Sequence, residues 1–119
     1  MYKTDFYISV MDRETKQPTF QRVDGWGETF EAPNGDIIEI RLDKRGGGWH
    51  ITEATTGLAV TGDDFPSRPK AIADITPDLL QKIADILQEK RMKETAQRLA
   101  DYIMTVTDEE PEPALSFVK

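Results

Sequence analysis

The chain contains no cysteine. Disulfide scaffolds, thiolate metal sites and cysteine nucleophiles are excluded with it. It contains one histidine, His50, in 119 residues, so no multi-histidine metal site can form within one chain. No apolar run approaches the roughly 18 residues that suggest a membrane-spanning helix. The first residues, Met1 to Asp5, show neither an apolar leader core nor a cleavage pattern, so no signal peptide is expected. The lack of cysteine and of an export signal points to a cytoplasmic location.

Positive charge is in short supply as well. Lys and Arg number 15 against 22 Asp and Glu, a formal net charge of -7 at pH 7. General affinity for nucleic acid rests on basic surface, so this balance disfavours it. What is present is globular in kind: 38% hydrophobic and 31% charged residues, too apolar for a wholly disordered chain. The length suits one domain, since two would leave each near the lower limit for folding alone.

Three zones differ in composition. Residues 1–62 hold the β-formers, most of the glycines and both tryptophans. Residues 67–107 have no glycine, and their prolines, Pro69 and Pro77, stand near expected helix starts. Residues 108–119 are acidic and contain two prolines, which predicts an extended tail. A run of strands followed by a run of helices predicts an α+β fold. The expectation is an antiparallel sheet of about five strands over residues 4–62, then two or three helices over 67–107. Residues 1–107 are read as a single domain.

Period-2 alternation of Phe6, Ile8 and Val10 with Asp5, Tyr7 and Ser9 predicts a strand over 4–11. A short strand over 19–23 follows, and Gly25-Trp26-Gly27 is expected to bend the chain. Residues 28–32 and 36–42 read as a hairpin about Pro33-Asn34-Gly35. Pairing Ala32 with Asp36 and Phe30 with Ile38 gathers Phe30, Ile38, Ile40 and Leu42 on one face, so this register is preferred. Asp43 to Gly48 is read as a turn, 49–53 and 58–61 as strands. The favoured register there puts Trp49, Ile51, Leu58 and Val60 together and His50 on the opposite face.

Ser67 and Thr76-Pro77 are helix starts by their capping chemistry. Leu79, Leu80, Ile83, Ile86 and Leu87 make one apolar stripe at helical spacing, and Met92, Ala96, Leu99, Ile103 and Val106 make a second. The two stripes fall on nearly opposite faces of one straight helix. Either the helix turns near Lys90 to Lys93, or the second stripe meets another molecule.

His50 is the one side chain that ordinarily titrates near neutrality, but no triad-like partner stands near it in sequence. It reads as structural. Asp63-Asp64 lacks the further oxygen ligands of a cation loop and reads as a turn. Lys44-Arg45-Gly46-Gly47-Gly48-Trp49-His50 is the most suggestive cluster, with glycine amides, two cations and a stacking surface. It lacks P-loop spacing and precedes a strand, and a basic-flanked turn is the plain alternative. Lys90, Arg91 and Lys93 form a second basic patch, read either as a solvated face or as a contact for an acidic partner. Leu115, Phe117 and Val118 form an apolar island in the tail, of the kind that can enter a partner's groove.

No catalytic constellation is visible and no cofactor or metal is expected. The reading is a small acidic protein-binding module without catalysis. One form of it is an accessory or inhibitor protein of a phage or mobile element, whose acidic surface competes for a basic groove. Its contact residues would be Met92, Leu99 and Ile103 with the tail residues Leu115, Phe117 and Val118, or else that helix would make a homodimer. The alternative is a nucleic-acid-binding module using Lys44, Arg45, Trp49 and His50 with Lys90, Arg91 and Lys93.

Overall fold

Phe6 and Ile8 are buried while Asp5 beside Phe6 is open to solvent and Tyr7 between them is half-buried, within one extended strand, β1 (Tyr2–Met11). The computed structural model describes residues 1–62 and 64–109. After β1 come β2 (Pro18–Glu31), β3 (Ile37–Arg45), β4 (Gly48–Glu53) and β5 (Leu58–Ala59). Three helices follow, α1 (Arg68–Ala73), α2 (Pro77–Leu87) and α3 (Lys90–Glu109). The fold is α+β, a five-stranded antiparallel meander in sequence order followed by helices. The sheet curls on itself. The Ser9 N–H donates to the Gly57 carbonyl at 2.7 Å, which brings β1 against the turn between β4 and β5.

The preferred hairpin register is the one observed, with Phe30 opposite Ile38 and the Ala32 N–H donating to the Asp36 carbonyl. Ile38, Ile40 and Leu42 are buried on the face this register predicts. At β4–β5 the shared face of Trp49, Ile51, Leu58 and Val60 also holds, since Glu53 pairs with Leu58 and the Val60 N–H donates to Ile51. The connection there is four residues long and is tied down by Glu53. Its buried carboxylate accepts from the backbone N–H and hydroxyl of both Thr55 and Thr56, at 2.7–2.9 Å.

Three expectations are corrected. First, Gly25-Trp26-Gly27 does not end a strand. β2 runs unbroken for 14 residues, pairing with β1 over its first part and with β3 over its last. The glycines admit close neighbours instead of a bend: a Cβ on Gly25 would lie 2.2 Å from the Leu42 carbonyl oxygen. Second, Asp43, Lys44 and Arg45 are strand, paired with His50, Trp49 and Gly48. The turn is Gly46-Gly47 alone, both at positive φ (59° and 86°), as a tight two-residue hairpin requires. Third, the helix break lies at Gln88-Glu89, just before the expected stretch. The mismatch of the two stripes forces it without any glycine or proline.

α1 and α2 are capped as predicted, Ser67 Oγ accepting from the Lys70 N–H and Thr76 Oγ1 from the Leu79 N–H. Both lie on one face of the sheet. Ala71, Leu80, Ile83 and Ala84 close over Ala32, Ile38, Ile40, Leu42 and Ile51. α3 then carries the second stripe back to the same chain. Met92 and Leu99 are buried, and Tyr102 packs against Tyr7 and Phe20 at 5.6 and 5.3 Å between ring centroids. The helix continues to Glu109, two residues into the stretch the sequence marks as tail. Leu115, Phe117 and Val118 lie outside the described residues.

Candidate functional site

The pairing of β2 with β3 stops at Trp26 and Leu42. Beyond that pair β3 continues to Arg45 beside β4, while β2 runs back to Pro18 beside β1. The two strands part, and a cleft of about 180 Å³ opens at the fork. Asp24, Gly25 and Trp26 line it from β2, Asp43 and Lys44 from β3, with Lys3 and Trp49 completing the wall.

Register decides which side chains meet there. Lys3 is opposite Trp26, Trp26 opposite Leu42, and Lys44 opposite Trp49. Alternation therefore puts Lys3, Trp26, Lys44 and Trp49 on one face, the face that also carries the helices. The chain returns to this end of the sheet after β5. Phe65 pairs with Trp49 through two backbone hydrogen bonds, of 2.8 and 3.0 Å. That bridge delivers the start of α1, and the Arg68 guanidinium comes to rest 4.3 Å over the Trp26 ring. Lys3 Nζ stands over the same ring at 5.7 Å. Both distances are within the range of cation–π attraction. Lys44 is exposed and makes no ion pair among the described residues.

Two carboxylates also border the cleft. Asp43 is almost wholly buried and takes the Arg45 Nε–H at 2.5 Å, which leaves its Oδ1 without a hydrogen-bond partner. Asp24 is at the rim beside Asp5. A hydrogen bond between the two carboxyls, and then the Asp5 charge, hold Asp24 above the usual aspartate range. That hydrogen bond and the one from Arg22 hold Asp5 below it. One proton is thus shared more readily than on isolated carboxylates.

The sequence cluster is divided by this arrangement. Lys44 and Trp49 face the cleft, whereas Arg45 and His50 stand on the opposite face. Arg45 is occupied by Asp43. His50 has its Nε2 3.2 Å from the Arg45 carbonyl and its Nδ1 3.4 Å from Asp64. Its ring is thus fixed beside a backbone carbonyl and a carboxylate on the face away from the cleft. Sequence reasoning missed Lys3 and Arg68, and left Trp26 as either a core cap or an exposed contact residue. Their separation along the chain hid them; the signal that does exist is a glycine on each side of Trp26.

The second basic patch belongs elsewhere. Met92 lines a small apolar recess of about 100 Å³ with Leu58, Val60, Ile83, Ile86 and Leu87. Glu53 borders it, four strand residues and roughly 13 Å along β4 from Trp49. Lys90, Arg91 and Lys93 surround Met92 in sequence and are exposed, so the fold places them at the other end of the sheet from Lys44. Of the expected partner contacts, Met92 and Leu99 are taken up inside the chain. Ile103 and its neighbour Met104 remain exposed.

Among the described residues no group of three or more His, Cys, Asp or Glu is placed to hold a metal ion, and no helix is long and apolar enough to cross a membrane. No family model, no curated protein and no solved structure matches this chain.

Proposed function

We propose that the protein is a non-catalytic binding module that holds an anionic partner at the β2–β3 fork. One observation carries the reading: Lys3 and Lys44 line a cleft walled by two tryptophans, and Arg68 from a third element stacks on one of those tryptophans. In a chain of net charge -7, such a site favours a partner that offers its negative charge locally. A long polyanion also meets the acidic remainder of the surface, so only a short stretch of one engages the fork. Arg45 stands on the opposite face, paired with the buried Asp43, so Lys3 and Lys44 are the cations that line the cleft. Catalysis is left out because the one histidine stands on the far side of the sheet, beside the Arg45 carbonyl and Asp64.

Calorimetric titration with inorganic tripolyphosphate tests this. The double variant Lys3→Glu, Lys44→Glu is expected to lose at least about tenfold in affinity, because two attractions become repulsions near a partly buried site. The triple variant Lys90→Glu, Arg91→Glu, Lys93→Glu reverses more charge at the other end of the sheet and is expected to lose much less. Equal losses, or a loss confined to the triple variant, would overturn the proposal.

A further inference from the structure

We infer that the anionic partner at the fork is a single-stranded nucleic acid, one base entering the cleft against tryptophan and its flanking phosphates meeting Lys3, Lys44 and Arg68. The inference rests on the binding reading above and specifies its ligand. Cations alone would suit any anion. The aromatic walls narrow the choice, because a ligand that uses both must present a planar π-face beside negative charge. Every nucleotide does so, and base–aromatic stacking with phosphate contacts is the recurring solution for unpaired strands. An acidic peptide offers the charge without a ring at each step.

The shape of the site argues for an unpaired strand over a duplex. The cleft is a recess where two strands part, with room for a ring and for little more. Duplex DNA is read by elements that project into its grooves. A recess can accept a base only after that base has left its stack. Trp26 already carries Arg68 and Lys3 over its ring. Trp49 is half-buried against the core and lines the cleft with its remaining surface; among the described residues no cation lies over its ring, and this is the surface that takes the base. The Arg68–Trp26 stack then fixes the guanidinium in advance, so little side-chain freedom is lost when a phosphate arrives.

The magnitudes follow from the number of cations. Three phosphate contacts give a slope of about -2 for log affinity against log salt on a single strand. Lys44→Glu should reduce that slope by about 0.7. Loss of stacking at Trp49 should weaken binding about tenfold or more.

The experiment is a set of fluorescence titrations at several salt concentrations. The probes are an oligothymidylate of about 12 nucleotides, the same strand annealed to its complement, and polyglutamate of similar length. Quenching of tryptophan emission reports stacking directly, with Trp26→Phe leaving Trp49 as the emitter. The inference predicts binding and quenching with the single strand, much weaker binding of the duplex, and little of polyglutamate. Trp49→Phe, which keeps an aromatic ring at the position, should weaken the single strand alone. Lys3→Glu with Lys44→Glu, both on exposed side chains, covers the case in which the tryptophan variant fails to fold. If polyglutamate binds and the oligonucleotide does not, the ligand assignment fails while the binding module stands. If neither probe binds, or neither responds to charge reversal at the fork, both fail.

Discussion

At the residue scale, the site owes its charge balance to Asp24. Its carboxyl is held above the usual range chiefly by the hydrogen bond to Asp5. Around it stand Lys3 and Asp5 on β1, Arg22 on β2 and Lys44 on β3. A raised carboxyl gains its proton earlier as pH falls, so negative charge leaves the rim while the cations keep theirs. Anion affinity is therefore expected to rise as pH is lowered from neutrality toward the carboxylate range. The groups are exposed, so the gain should be about two- to threefold and should shrink with salt. Asp24→Asn is expected to give the higher affinity already at neutral pH and to flatten the profile, measured by titration across pH. Little of this was legible in the sequence. Asp5 and Asp24 are nineteen positions apart, and only the β1–β2 register, which pairs them directly, makes them neighbours.

At the element scale, the fork depends on Gly25. Its backbone lies so close to β3 that any Cβ would strike the Leu42 carbonyl, and also the Phe6 ring at 2.8 Å. Gly27 is crowded too, but by the end of the Tyr2 ring, an exposed side chain that can swing away. Gly25→Ala is expected to destabilise the protein by about 2–3 kcal/mol, Gly27→Ala by about 1 kcal/mol or less. Denaturant unfolding of the two variants checks the contrast. The sequence marks both positions as unusual but not which way they act. A glycine on each side of a tryptophan suits a bend as well as a close approach, and only the neighbouring strand decides. By contrast, the Phe30–Ile38 register, the Ser67 and Thr76 caps and the face of Trp49 were legible. Each follows from local turn or cap chemistry together with side-chain alternation. The Asp43-to-Gly48 segment was misread for a physical reason. Three glycines in a row suggest a mobile loop, yet two suffice for the turn and the third is paired in β4, against Asp64.

At the scale of the whole molecule, most of both apolar stripes of the helical half is used within the chain, with Ile86 and Ile103 left exposed. The turn at Gln88-Glu89 lets α2 cover one part of the sheet and α3 another, where Leu99 is buried and Tyr102 meets the β1–β2 ribbon. Leu99→Ala is thus expected to cost about 2–5 kcal/mol in unfolding free energy. Ile103→Ser on the exposed side should stay within about 0.5 kcal/mol. Light scattering of the wild type is expected to give the monomer mass of 13.5 kDa, since little of the second stripe is left for a second copy. The stripe mismatch showed that the helix had to turn or find a partner. It did not show which, because that depends on where Tyr7 and Phe20 lie, on strands far away in sequence.

The account stands most directly on where an anion sits, and amide chemical-shift mapping during a tripolyphosphate titration reads that position. The predicted result is that Lys3, Gly25, Trp26, Lys44, Trp49 and Arg68 shift together and saturate with one affinity, while Ile86, Met92 and Ile103 stay still. Shifts centred on Lys90 to Lys93, or small changes scattered over every exposed lysine, would contradict it.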